Sequence, residues 1–259
     1  MKIITKALIL GSLLVSSSAY AQAVAVLPTS PNPPAIVTTS PNEVDASSVA
    51  TTNKVYIDQS GGNVNVNIEQ TGTASIVGTL ADPIYLRGDN QTVTVIQTGN
   101  TNKLSMGIIG NTGAGSGTTA SIRQLGDNNN ADIRCGTFQG DATCNGLDLN
   151  AKFTGNNNDF KFHGAGANIT TTIDSSGNNN GFTLTILSPN ASQTLLFNGD
   201  FNLANVTQTG SGGTFGHSLY ANFTGTSNTL TTQQYGVSET IINIKSVGSN
   251  GVFNIKTGH

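Results

Sequence analysis

Charge is scarce in this chain. Eleven Lys and Arg and 14 Asp and Glu occur among 259 residues, a charged fraction of 10%, where an ordinary globular domain carries roughly 25%. That excludes the usual mixed-charge surface, so the solvated face must be Asn, Thr, Ser and Gln. A net charge of −3 leaves no basic footprint, which argues against nucleic acid as a partner. Tryptophan is absent and aromatic residues reach only 6%. The longest apolar stretch lies at the N-terminus and is too short to span a membrane, so no transmembrane segment is expected in the mature form. Hydrophobic residues at 36% are too many for simple disorder. What is abundant is glycine and asparagine, 31 of each. The composition fits a secreted, repetitive β protein better than a cytoplasmic enzyme.

The N-terminus reads as an export signal. Lys2 and Lys6 form a charged start, Ala7 to Val15 an apolar core, and Ala19-Tyr20-Ala21 a small-x-small cleavage site. Residues 1–21 are therefore expected to be removed, leaving nine basic against 14 acidic side chains. Five of the seven prolines (Pro28, Pro31, Pro33, Pro34 and Pro41) fall within 22–49. That density disfavours a sheet ladder and predicts an extended, flexible leader. Cys135 and Cys144 are the only cysteines. In an exported chain an even, closely spaced pair points to a disulfide closing a short loop. The other reading is a metal or redox pair, for which the scattered His163, His217 and His259 supply no second ligand pair at metal-site spacing.

From residue 50 onward the sequence repeats, and the repeat sets the architecture before any local reading does. Gly155, Gly166, Gly177, Ser188, Gly199 and Gly210 fall 11 residues apart. Counting from each glycine, position three is often Asn, positions five and seven are apolar, and position nine is Gln, Phe or small. Phe160 and Phe162, Phe182 and Leu184, and Val93 and Val95 are such apolar pairs, with polar residues between them. Strict period-two alternation bounded by turn residues predicts short half-buried strands, not helices. Two rungs make a 22-residue coil with two facing strands, and coils stacked at about 4.8 Å share one thin core.

Insertions sort the corners into two kinds. Extra residues occur near Pro83 to Arg87, Gly110 to Ala114, Thr137 to Thr143, Gly210 to Gly213 and at Gly236. The other corner keeps its length and its arc glycine: Gly72, Gly99, Gly126, Gly155, Gly177, Gly199, Gly225 and Gly248. The expected fold is all-β, a two-sheet β-solenoid over 50–259. Its eight units are 61–83, 88–110, 115–137, 144–166, 166–188, 188–210, 214–236 and 237–259. Residues 50–60, with Val55, Ile57 and Gln59 inward, look like an extra half-coil.

At this point the residues carry a family resemblance. Gln97-Thr98-Gly99-Asn100-Thr101-Asn102 and Gln124-Leu125-Gly126-Asp127-Asn128-Asn129 resemble the Gln-x-Gly-x-x-Asn arc of curlin repeats, the subunits of curli fibres. The resemblance covers residues 61–259. Phe153, Ser175, Phe197, Phe223 and Ser246 stand in the glutamine slot elsewhere, and the cysteine loop departs from the pattern. The resemblance implies a β-solenoid subunit that polymerises into extracellular amyloid-like fibres of biofilm matrix and surface adhesion. Its implied partners are further copies of itself, a nucleator subunit and an outer-membrane export channel.

The physics of stacked amides points the same way. Identical amides repeated every coil can donate N–H to the carbonyl of the next. Amide ladders are expected from Asn102, Asn129, Asn158, Asn180, Asn202 and Asn228, and from Gln59, Gln70, Gln97, Gln124, Gln208 and Gln234. Asn128, Asn156, Asn157, Asn178 and Asn179 read simply as turn residues. No catalytic constellation emerges from local spacing, and no enzyme, cofactor or metal site is expected. The glycines at Gly110, Gly113, Gly115 and Gly117 lack the Lys-Ser/Thr of a phosphate-binding loop. A monomeric secreted β-solenoid adhesin and an ice-binding protein are the alternative functions. Paired outward threonines such as Thr92/Thr94 and Thr170/Thr172 motivate the second. Phe253 and Ile255 in the last unit are expected to face inward and offer an open rung to a second copy.

Overall fold

In the computed structural model the described residues are 63–72, 75–78, 90–99, 101–110, 117–126, 128–136, 144–155, 157–177, 179–199, 201–210, 217–236 and 240–258, and as strands alone 23–26, 36–37, 43–49, 54–55, 57–60 and 84–88. The export signal expected over 1–21, and the five leader prolines, lie outside the described residues. No helix occurs among the described residues.

The N-terminal strands are β1 (Ala23–Val26), β2 (Ile36–Val37), β3 (Glu43–Val49), β4 (Lys54–Val55), β5 (Ile57–Ser60), β6 (Asn65–Thr71), β7 (Ile76–Val77) and β8 (Ile84–Gly88). The next are β9 (Thr92–Thr98), β10 (Lys103–Gly110), β11 (Thr118–Leu125), β12 (Asn130–Cys135), β13 (Leu147–Thr154), β14 (Asp159–Ala165) and β15 (Ile169–Ser176). The last are β16 (Gly181–Leu187), β17 (Ala191–Asn198), β18 (Leu203–Thr209), β19 (His217–Thr224), β20 (Thr229–Tyr235), β21 (Thr240–Val247) and β22 (Val252–Gly258). Odd-numbered strands from β9 onward stack in one parallel sheet, continued by β6, β3 and β1. The even-numbered ones stack in the second, continued by β8, β5 and β2. Each of the eight repeat units thus contributes to both sheets, and the chain is a two-sheet β-solenoid.

The sequence pattern explains the layers. β6 and β13 bury every second residue and expose the ones between, as period two requires when only one face meets a core. Parallel sheets are normally covered on both faces by crossover helices. Here the crossover from one strand to the next in its sheet is a strand of the other sheet, so the outer face stays in water. That face therefore carries Thr, Ser and Asn rather than Val and Ile. Register holds the columns straight: Val66 pairs Val93, Val93 pairs Ala120, and Ile68 pairs Val95.

The interior changes character along the stack. In the N-terminal half it is aliphatic, with Val66, Ile68, Val93, Val95, Leu104 and Met106 buried. From the fourth unit an aromatic chain takes over. Phe153 lies 5.2 Å from Phe160, Phe182 stacks on Phe197 at 4.5 Å, and Phe197 sits 5.1 Å from Phe223. Offset and tilted pairs at such distances add to simple area burial.

Two features differ from the sequence expectation. The extra residues near Pro83 do not lengthen a corner. Val77 pairs with Leu104 and Ile84 with Met106, so six residues, 78–83, stand where the next unit has Ser105 alone. The insertion interrupts a strand, and β8 resumes the ladder up to Gly88 beside Gly110. The ladder also runs past the expected boundary at residue 49. Glu43–Val49 pairs in register with Asn65–Thr71, and Ala23–Val26 with β3. Val44 and Val66 are 22 residues apart, so the repeat period persists into the segment read as a leader. The half-coil expected over 50–60 is present as β4 and β5, with Val55 beside Val77 and Gln59 beside Leu86.

Candidate functional site

The tight edge is built alike in every unit. Four residues separate the first strand from the second in each unit, from Gly72–Ser75 to Gly248–Gly251. Gly72, Gly99, Gly126, Gly155, Gly177, Gly225 and Gly248 all have positive φ. Gly99 shows why no other residue fits. Its φ is +142°, and a Cβ there would fall 1.6 Å from the carbonyl oxygen of Gly72 in the preceding coil. At Gly199 the corresponding oxygen, of Gly177, would be 1.4 Å away. The arcs pack backbone on backbone, and the arc glycines from Gly72 to Gly225 each donate N–H to the coil above, as Gly99 does to the Leu125 carbonyl at 2.9 Å.

The third residue past each glycine points inward and carries the asparagine ladder. Asn102, Asn129, Asn158, Asn180, Asn202 and Asn228 are all buried. The Nδ2 of each donates to the Oδ1 of the next at 3.2, 3.1, 3.0, 3.0 and 2.9 Å. The same nitrogen donates to the arc glycine of its own coil, for example Asn129 to the Gly126 carbonyl at 2.8 Å. That second bond fixes which way the amide faces, because the glycine carbonyl can only accept and the amide donates only through its NH2. The ladder is unbroken over six coils. Ser75 and Gly251 occupy its slot at the two ends.

The glutamines form two separate columns rather than one ladder. Gln70, Gln97 and Gln124 lie on the first sheet, where Gln97 donates to Gln70 at 2.9 Å and Gln124 to Gln97 at 2.7 Å. This ladder runs opposite to the asparagine one, so the aligned amide dipoles oppose each other. Each of these glutamines also reaches across the arc, as Gln97 does to the Lys103 carbonyl at 2.8 Å. The Gln-x-Gly-x-x-Asn arc is thus clamped at both ends by side-chain amides. The column stops at Gln124, whose register partner is Phe153, and aromatic packing replaces it. Gln208 and Gln234 lie on the second sheet, paired in register, with the Gln234 amide donating to Gln208. Gln59 is in that second-sheet column but adjoins Leu86, not a glutamine.

Outward amides were missed as ladders. Asn157 donates to Asn128 at 3.2 Å and Asn179 to Asn157 at 3.3 Å along the exposed rim of the tight edge. Across the molecule Asn190 donates to Asn168 at 3.1 Å. The recurring Asn-Asn pairs, 22 or 29 residues apart, were the available signal. Cys135 and Cys144 form a disulfide with Cα atoms 5.4 Å apart, both side chains buried. The bridge joins the end of β12 to the start of the next coil.

The last coil differs from the others. Ile255 occupies the inward column of Leu184, Val206 and Thr232, all buried, yet is 51% exposed. Ile241, Val247 and Val252 are also about half exposed. They stand in outward columns where the preceding coil has Ser218, Thr224 and Thr229. Phe253, Ile242 and Ile244 pack against the core but stay only partly buried. Among the described residues no strand pairs on the far side of β21 or β22.

Fold and interior together define a parallel two-sheet β-solenoid with amide-clamped glycine arcs. No family model, curated protein or solved structure matches the chain.

Proposed function

We propose that this chain is the structural subunit of an extracellular, curli-like amyloid fibre, joined end to end through its terminal coils. The observation that carries the reading is the last coil. It offers two open strand edges, inward apolar side chains left half in water, and apolar residues at three outward positions that are Ser or Thr in the preceding coil. An exposed edge of this kind is a template for another chain. Among the described residues the opposite ends of the two sheets, β1 and β2, also finish on strand edges. Contact between unlike ends does not close on itself and generates an open filament. The straight columns and interior amide ladders are those of cross-β stacking, continued from intramolecular to intermolecular.

Export follows from the N-terminal signal, and biofilm matrix or surface adhesion is the setting in which such a fibre works. The ice-binding alternative is less well supported, because Asp148 interrupts the outward hydroxyl column between Thr119 and Thr170, and Asn150 the one between Ser121 and Thr172. The test is electron microscopy, dye binding and fibre diffraction on the exported protein after incubation. Unbranched fibres with a meridional spacing of about 4.7–4.8 Å, seeded by preformed fragments, are expected. Protein that stays monomeric by light scattering for days, seeded or not, would leave the monomeric adhesin in its place.

A further inference from the structure

A local cluster of charges of both signs lies on the outer face of the second sheet, at β12 and β14. Asp132 and Arg134 on β12 lie beside Lys161 and His163 on β14, which lie beside Thr183 and Thr185 on β16. These six side chains line an open groove of about 410 Å³. Arg134 pairs with Asp132 at 3.4 Å and Lys161 approaches Asp159 at 3.8 Å, so the fixed charges cancel. His163 is left over. Its Nε2 is buried with no hydrogen-bond partner among the described residues. In the coils beyond, the columns continue as Asn205 and Thr207, uncharged amide and hydroxyl groups at the coil spacing of about 4.8 Å.

We propose that this groove binds an acidic polysaccharide, with a uronate carboxylate between Arg134, Lys161 and His163 and the sugar hydroxyls on Thr183 and Thr185. A carboxylate accepts from a guanidinium in a planar fork and from an imidazolium N–H, and both bonds are charge-assisted. The neutral strip of Thr and Asn beside the charges suits a chain that is mostly hydroxyl, where a nucleic acid or an acidic peptide would need charge along its whole length. The inference is independent of the fibre reading. A monomer would carry one groove, and a fibre would repeat it once per subunit.

The groove also predicts a proton linkage. Burial, helped by the Arg134 charge and opposed by Asp132, holds the His163 pKa below its ordinary value of 6.5. The charged groups facing it are Asp132 and Arg134 from β12 and Lys161 with Asp159 on its own strand, while β16 presents only threonines. An incoming carboxylate adds a negative charge and raises the pKa, so binding takes up a proton and tightens as pH falls.

The experiment measures fluorescence anisotropy of a labelled galacturonic acid trimer against the purified full chain, with a neutral glucose trimer and inorganic phosphate as competitors. Affinity is expected to rise about tenfold as pH falls from about 8 to about 5. Arg134→Gln and His163→Gln should each lower it about tenfold with an unchanged melting curve, and His163→Gln should abolish the pH dependence. Failure of the trimer to bind, or unaltered binding in both variants, overturns the site. Competition by phosphate or by the neutral trimer as strong as that of unlabelled uronate overturns the assignment of the ligand.

Discussion

A buried amide in this protein is held on several sides at once. Asn180 donates to the Gly177 carbonyl at 3.2 Å and to Asn202 at 3.0 Å, and accepts from Asn158 at 3.0 Å. Replacing it with Ala strands a donor on Asn158 and an acceptor on Asn202, both buried, and leaves the Gly177 carbonyl without this donor. Each stranded buried group costs about 1–3 kcal/mol, so Asn180→Ala should cost at least about 2 kcal/mol. Asn102→Ala should cost less, because the Asn102 Oδ1 already lacks a partner and only one neighbouring amide is disturbed. Urea midpoints of the two variants test the ranking, and equal losses would mean that the ladder contributes nothing beyond the single amide.

At the scale of the element, each coil depends on its neighbours, since no two-strand layer buries enough alone. The tight edge is uniform because glycine packs on glycine through the stack, so an extra residue there would break contact with two coils. The opposite edge varies in length, and there the disulfide closes the longest of its excursions that the two cysteines flank. By the chain-entropy model a loop this short contributes about 2–3 kcal/mol. The double variant Cys135→Ser, Cys144→Ser should lose about that much in denaturant midpoint while keeping its far-UV signature. Both sheets continue past the bridge, the first through β11–β13 pairing and the second through β12–β14. Complete loss of sheet structure would instead make the bridge a condition of folding.

For the whole molecule the controlling feature is that a solenoid has two ends. Ile255→Asp places a carboxylate next to Thr232 in a column that is apolar further in, with Ile133, Phe162, Leu184 and Val206, but at the open face it remains half in water. The folded monomer should therefore tolerate it, with little change in melting. At a fibre junction the same carboxylate would be buried without a partner, a cost of several kcal/mol. Elongation from seeds should fall by at least about tenfold, followed by dye binding. A variant that elongates as fast as the parent chain would show that growth does not proceed through this face. Arg134→Gln, on the outer sheet face, should leave elongation unchanged.

Strand positions, the inward and outward faces, the constant glycine edge and the cysteine pairing were all legible in the chain. Period-two alternation and a fixed repeat are local, and stacking copies them into the same environment each time. The inward asparagines were legible for the same reason, being the third residue of an arc whose length never changes. Tertiary structure alone decided how neighbouring columns meet. It divided the glutamines between two sheets, since position nine occurs in both rungs of a coil and spacing cannot tell them apart. It placed the 78–83 insertion inside a strand, because only pairing with Leu104 and Met106 reveals where the ladder resumes. It also carried the ladder back to Ala23, where proline density had argued against it: prolines between strands leave the paired residues free to bond. The groove around His163 had no sequence signal either. Arg134 and His163 are 29 residues apart and become neighbours only because one coil rests on another.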